Sequence, residues 1–317
     1  MLKKLIFWIL SLGLVSCSRY SEINDEGCCS IPLTFFSFSE SPVAQIEIEN
    51  EKYNALVDLG GQFAFSLHKS CLDKIQDKRF LTQHHRSDVK GNDYFDDCFE
   101  IPLVSIPGMN LKRVNFKNAP VSEKSLKFGG NQLFRADTTQ REIDQRKWID
   151  GSIGTGIFLG NFCLFDLNRS LFFISDALEK LKAPYFLDEV MEVPFEDEHG
   201  FVVVYAQTDF GTRKMLLDTG AGGSVFRESI VDKKRECEPG IWRTTTQLRM
   251  GEVNCGDWDF FLYEFPEMYR DMFDAVLGVD FFMDHIVCVD YQNKKLYIKP
   301  LNKPLKKFWK KIVRCFY

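Results

Sequence analysis

The sequence predicts a mainly β protein assembled from two related lobes, and three features of the 317-residue chain predict it. A segment near the middle reappears near the end without a gap, a shorter match lies upstream of each copy, and the flanking residues alternate apolar and polar with the period of a strand. In the downstream match, residues 149–158 and 165–174 return 124 positions later as 273–282 and 289–298. Asp150 thereby meets Asp274, Gly154 meets Gly278, and Asp166 meets Asp290. Each copy ends as a strand, a polar turn and a second strand.

In the upstream match, Ala44, Ile46 and Ile48 face one way and Gln45, Glu47 and Glu49 the other, and the chain then reads Leu56-Val57-Asp58-Leu59-Gly60-Gly61. Its counterpart is a strand from Phe201 to Thr208, a turn at Asp209-Phe210-Gly211, and Leu216-Leu217-Asp218-Thr219-Gly220-Ala221. Both are a hairpin, an apolar pair, an aspartate and a glycine-bearing turn. Asp58 precedes Gly154 by 96 residues and Asp218 precedes Gly278 by 60, so the first lobe carries 36 extra residues between matching elements. The expected organisation is a first lobe over 42–185 and a second over 186–302.

Composition agrees and narrows the function. Forty Lys plus Arg against 45 Asp plus Glu give a net charge of -5, and 45% of residues are hydrophobic. A soluble globular chain fits this, whereas disorder, collagen and a multi-span membrane protein do not. The absence of a basic surplus argues against a nucleic-acid partner. Thirty phenylalanines favour aromatic packing between sheets.

The two ends are set apart from this body. Lys3 and Lys4 precede an apolar run from Leu5 to Val15, which reads as an export signal over 1–16, too short for a stable spanning helix. Leu14-Val15-Ser16-Cys17 resembles a bacterial lipobox, which implies lipidation of Cys17, a tether over 17–41 and residence in the cell envelope. The competing reading is an ordinary signal peptide with a chance cysteine. Several acyl chains at about 0.8 kcal/mol per buried methylene would anchor the protein without a transmembrane helix. At the other end, 303–317 holds six basic and no acidic side chains, with Leu305, Phe308, Trp309, Ile312 and Phe316 at helical spacing. This tail suits either an anionic lipid surface or the acidic body itself.

The two glycine-bearing turns carry the chemistry. Together they resemble the aspartic peptidases, pepsin-like and retropepsin-like, whose signature is apolar-apolar-Asp-Thr/Ser-Gly-Ala/Ser in each of two lobes with a downstream apolar-apolar-Gly. Leu216 to Ala221 and Val276-Leu277-Gly278 match closely; Leu56 to Gly61 and Ser152-Ile153-Gly154 match more loosely. The resemblance covers about 42–300 and implies two β-barrel lobes with an active-site cleft between them. It makes Asp58 and Asp218 the catalytic pair, supported by Gly60, Gly61, Thr219, Gly220 and Ala221. Two close carboxylates share one proton, so one draws a proton from water while the other donates to the scissile carbonyl. No cofactor or metal is required. Leu59 departs from the family's Thr/Ser and removes half of a reciprocal hydroxyl lock. The rival role for each aspartate is to cap a turn after a buried strand.

A first-lobe hairpin closes the cleft in this family, and Val89 to Tyr94 is the matching turn here, with Tyr94 as its aromatic. A surface acidic loop, or a weak cation site at Asp93, Asp96 and Asp97, is the other reading. The ten cysteines show no paired C-x-x-C, and buried thiols or a few disulfides both fit. Gly151 to Gly156 lacks G-x-G-x-x-G order and a P-loop lysine, and reads as a tight strand turn. The five histidines are expected to be solvated or hydrogen-bonded. The expected protein is a monomeric, membrane-anchored aspartic endopeptidase acting on peptides or proteins. A degenerate relative that only binds them, and an envelope lipoprotein with no cleft function, are the alternatives.

Overall fold

The computed structural model describes residues 21–23, 27–35, 41–87, 93–124, 149–185, 190–198, 200–238, 240–265 and 267–301. The expected export signal over 1–16, Cys17, residues 88–92, His199 and residues 302–317 lie outside the described residues. Among the described residues no helix is long and apolar enough to cross a membrane.

The first lobe contains β1 (Ser21–Ile23), β2 (Cys28–Pro32), β3 (Thr34–Phe35), β4 (Pro42–Ile48), β5 (Glu51–Val57), β6 (Phe65–His68), β7 (Arg79–Ser87), β8 (Asp93–Pro107), β9 (Arg113–Lys124), β10 (Gly151–Ile153), β11 (Phe162–Asp166) and β12 (Leu171–Ser175). The second contains β13 (Met191–Pro194), β14 (Glu196–Glu198), β15 (Phe201–Thr208), β16 (Gly211–Leu217), β17 (Val225–Arg227), β18 (Arg235–Glu238), β19 (Ile241–Met250), β20 (Val253–Tyr263), β21 (Ala275–Leu277), β22 (His285–Asp290) and β23 (Lys295–Pro300). Each lobe closes on itself: β4, β5, β10, β6, β9 and β8 pair in a ring, as do β15, β16, β21, β17, β20 and β19. The duplication read from the sequence is therefore a duplicated barrel.

Hairpins start both barrels. Glu49 and Asn50 turn between β4 and β5 with φ of 51° and 67°, the left-handed pair of a tight hairpin turn. Along β4 the alternation predicted from sequence holds, with Ala44, Ile46 and Ile48 buried and Gln45 exposed. Each hairpin delivers its second strand into a parallel pairing, β5 with β10 and β16 with β21, in which Val57 meets Ile153 and Leu217 meets Leu277. Both aspartates follow directly.

A six-stranded sheet in the order β13-β23-β22-β11-β12-β2 joins the lobes. Its central pair, β11 with β22, brings the two copies of the repeat together, Phe165 opposite Val287. On one face Phe158, Phe165, Phe172 and Phe282 interlock, Phe165 meeting Phe282 edge-on at 5.5 Å. On the other, Phe162, Leu164, Phe173 and Ile286 pack with Leu178 and Leu181 of the helix Leu178–Tyr185. Part of the phenylalanine excess is thus used where the lobes meet.

Part of the expected tether is fold. β2 pairs with β12 along Cys28 to Pro32, because Cys29, Ile31 and Leu33 alternate inward and are buried. None of the eight described cysteines is in a disulfide. Burial pushes Cys29, Cys71 and Cys98 up to about 11 and Cys288 higher still, so none of these four is a ready thiolate nucleophile.

If 28–32 is structural, Ile31→Ala lowers the unfolding free energy by about 2–5 kcal/mol. Phe80→Ala, at a side chain 57% exposed, changes it by less than about 0.5 kcal/mol. Denaturant melts of the two variants check this, and equal, small effects would return 28–32 to the tether.

Candidate active site

Three aspartate pairs are duplicated in the chain, and the structure separates their roles. Asp150 accepts from the Asn54 backbone N–H at 2.8 Å, and Asp274 accepts from that of Lys214 and from Arg227 at 2.5 Å. Asp166 and Asp290 cap their turns, accepting from Arg169 N–H and Asn293 N–H. These four hold strands and turns together. Asp58 and Asp218 face each other.

Their setting repeats almost atom for atom. Asp58 N–H donates to the Ile153 carbonyl at 2.8 Å and Asp218 N–H to that of Leu277 at 3.0 Å. Gly60 N–H donates to Asp58 Oδ1 at 2.9 Å and Gly220 N–H to Asp218 Oδ1 at 2.7 Å. The turns then close through Gly61 N–H to the Asp58 carbonyl and Ala221 N–H to that of Asp218. Thr155 N–H reaches the Gly61 carbonyl at 2.7 Å and Val279 N–H the Ala221 carbonyl at 2.8 Å, tying each turn to its downstream glycine strand.

The glycines explain how the turns meet. A methyl group on Gly60 would lie 2.6 Å from the carboxyl carbon of Asp218, and one on Gly220 would lie 2.5 Å from Asp58 Oδ1. Each carboxylate therefore rests on the glycine of the opposite turn. A methyl group on Gly61 would instead lie 3.2 Å from Oδ2 of its own lobe's Asp58. Burial first, and the Asp58 carboxylate second, push Asp218 up to about 8, against the opposing pull of the Gly220 N–H. Both residues are half-buried, so the pair keeps a solvent-facing side.

Leu59 and Thr219 occupy the asymmetric position. Thr219 is fully buried, accepts from Leu59 N–H at 3.1 Å and donates to the Val57 carbonyl at 2.6 Å. This half of the lock is present. Leu59 replaces the other half by packing, with 0% exposure inside the main core. Ser41 adds a contact that the sequence did not reveal: buried before β4, it donates to the Gly220 carbonyl at 3.3 Å.

The predicted hairpin is β7–β8. β9 pairs with β8 from Cys98 to Pro107, while residues 93–97 pair with β7 alone, so the hairpin end projects beyond the barrel. Tyr94 stands opposite Arg86 in that projection. On the same hairpin His84 packs on Phe63, just after the Asp58 turn, at 5.0 Å. Among the described residues no cluster of His, Cys, Asp or Glu could hold a metal, and Asp97 accepts instead from Gln83 at 2.8 Å. His68 and His285 are buried and bonded to the carbonyls of Lys124 and Phe281.

Comparison with known proteins matches the fold and little of the sequence. The chain is similar to basic 7S globulin from soybean, with a TM-score of 0.59, 9% identity, and coverage of 86% of this chain and 95% of that one. It is equally similar to conglutin gamma, a basic 7S globulin from lupine seeds, at 0.59 and 9%, covering 90% and 97%. An aspartic proteinase from Irpex lacteus gives 0.57 and 11%, covering 87% and 98%. The architecture is the duplicated-lobe, pepsin-like fold. No family model matches the chain, and no curated protein sequence matches it.

Thr219→Val keeps the volume but orphans the Leu59 N–H and Val57 carbonyl, at a cost of roughly 1–3 kcal/mol for each group. Thr219→Ser keeps the hydroxyl and costs about 0.8 kcal/mol for its methyl. Equal losses for the two in chemical denaturation would show that the hydroxyl does not lock the turns.

Proposed function

We propose that the protein is an aspartic endopeptidase in which Asp58 and Asp218 activate water against a peptide bond. One observation carries the reading: two half-buried carboxylates, each seated on the other turn's glycine, with the proton of Asp218 held far above the usual carboxylate range. The pair holds one proton over a wide pH range, because two adjacent charges are costly. Ionised Asp58 takes a proton from the water; protonated Asp218 donates to the carbonyl oxygen as it gains charge. The Gly60 and Gly220 N–H groups steady the carboxylates, and the projecting β7–β8 hairpin is suited to cover an extended peptide.

Leu59 favours a second reading, a relative that binds peptides without cutting them. Against it stands the retained half-lock through Thr219, with Leu59 buried as packing rather than left as a gap. We also propose, on the sequence of 1–17, that the protein is exported and lipid-anchored in a bacterial envelope, with the 303–317 tail at the lipid surface.

Peptide cleavage by the purified chain is expected to fall at least about a thousandfold in both Asp58→Asn and Asp218→Asn, as loss of an essential acid–base group requires. The active form carries one proton, so activity is lost as pH rises through the Asp218 value near 8. Stability has the same sign: the folded state holds this proton more tightly than the unfolded chain, so that contribution declines from about pH 3.9 upward. Cleavage surviving either substitution removes the dyad. Peptide binding with no cleavage at any pH selects the second reading.

A further inference from the structure

The second lobe carries a cation that the fold does not use. Arg243 lies on β19 opposite Phe261 of β20, and its guanidinium stacks on that ring at 3.9 Å. Its Nε is buried without a hydrogen-bond partner. Arg79, Arg113, Arg227 and Arg270 bind carboxylates, and Arg213 and Arg249 donate to the carbonyls of Phe210 and Gly251. Carboxylates on and beside the same strands are engaged elsewhere, Glu228 with Lys234, Asp259 with Thr245 and Glu264 with Arg270. A half-buried guanidinium has lost part of its hydration without gaining an anion, which raises the reward for binding one.

Its position relates it to the aspartates. Phe261 N–H donates to the Ser224 carbonyl at 3.0 Å, and the Phe261 ring would touch a methyl group placed on Gly223 at 3.4 Å. Gly223 and Ser224 end the turn that begins at Asp218. Asp218 turn, Phe261 ring and Arg243 guanidinium thus form a continuous line. The first lobe offers no equivalent: at the matching register stand Ser122 and Cys98, both buried.

We propose that Arg243 is a specificity-determining residue, the cation of a carboxylate-accepting subsite on the second-lobe side of the cleft. It takes the side chain of an Asp or Glu in the bound peptide, near the bond that the aspartates attack. The flat fork of a guanidinium held on an aromatic face suits two-point binding of a carboxylate. This inference rests on the peptidase reading for its location, while its test separates the two.

Peptides identical except for Glu or Gln at each position in turn are assayed for kcat/KM with the full chain. The expected result is a preference for Glu at one position of about tenfold or more, the scale of a charge-assisted hydrogen bond. Arg243→Gln brings that ratio close to one, and Arg243→Lys keeps part of it. Arg235→Gln, at the exposed cross-strand neighbour, leaves it unchanged. The same peptides are titrated calorimetrically against the Asp218→Asn chain with and without Arg243→Gln. Cleavage with an unchanged Glu/Gln ratio in Arg243→Gln overturns the subsite and leaves the peptidase standing. Tighter binding of the Glu peptide that depends on Arg243, with no cleavage by the wild type, supports the subsite and overturns the peptidase.

Discussion

The contact of two carboxylates across a lobe boundary is the constraint on which the rest of the structure depends. Like charges at that distance are tolerated only with a shared proton, nearby N–H donors and no competing bulk. Gly60 and Gly220 remove the bulk, and their amides are the donors. Holding two separate turns to that tolerance demands rigid supports related by the same geometry, which is what two copies of one barrel provide. The parallel pairs β5–β10 and β16–β21 set the height of each aspartate, and the β11–β22 pair with its phenylalanine layer sets the separation of the lobes.

The two copies are not equivalent, and their differences are informative. Thr219 spans the boundary with two hydrogen bonds, whereas Leu59 contributes only its N–H and an apolar side chain. A hydroxyl is needed where backbone groups would otherwise be orphaned; elsewhere close packing can hold a turn in place. The pepsin-like fold itself does not decide activity, since its likeness extends here to two globulins and a proteinase. Function must be argued from the site.

Much of this was legible in the chain because duplication doubles every local signal. Asp58 and Asp218 stood out through the glycines after them and the apolar pairs before them, and the hairpin strands through strict alternation. Leu59 read as a defect because sequence shows the missing hydroxyl but not the core that receives the side chain. β2 was hidden inside a polar-looking N-terminal stretch, since Cys29 and Ile31 are too few to set a period without their partner strand β12. Ser41 and Arg243 were invisible for a different reason. Their meaning lies in contacts with Gly220, 179 residues away, and with Phe261 across a strand pair.

The two carboxyls are expected to behave as one titrating unit. Carbon-13 labelling of the aspartate side chains, with NMR titration of Asp58 and Asp218 assigned by their Asn variants, measures it directly. One proton is expected to stay on the pair well above the usual carboxylate range, and Asp58→Asn is expected to move the Asp218 titration because the neighbouring charge has gone. Two independent titrations near the ordinary value of about 3.9, each unaffected by substitution of the other residue, would contradict it.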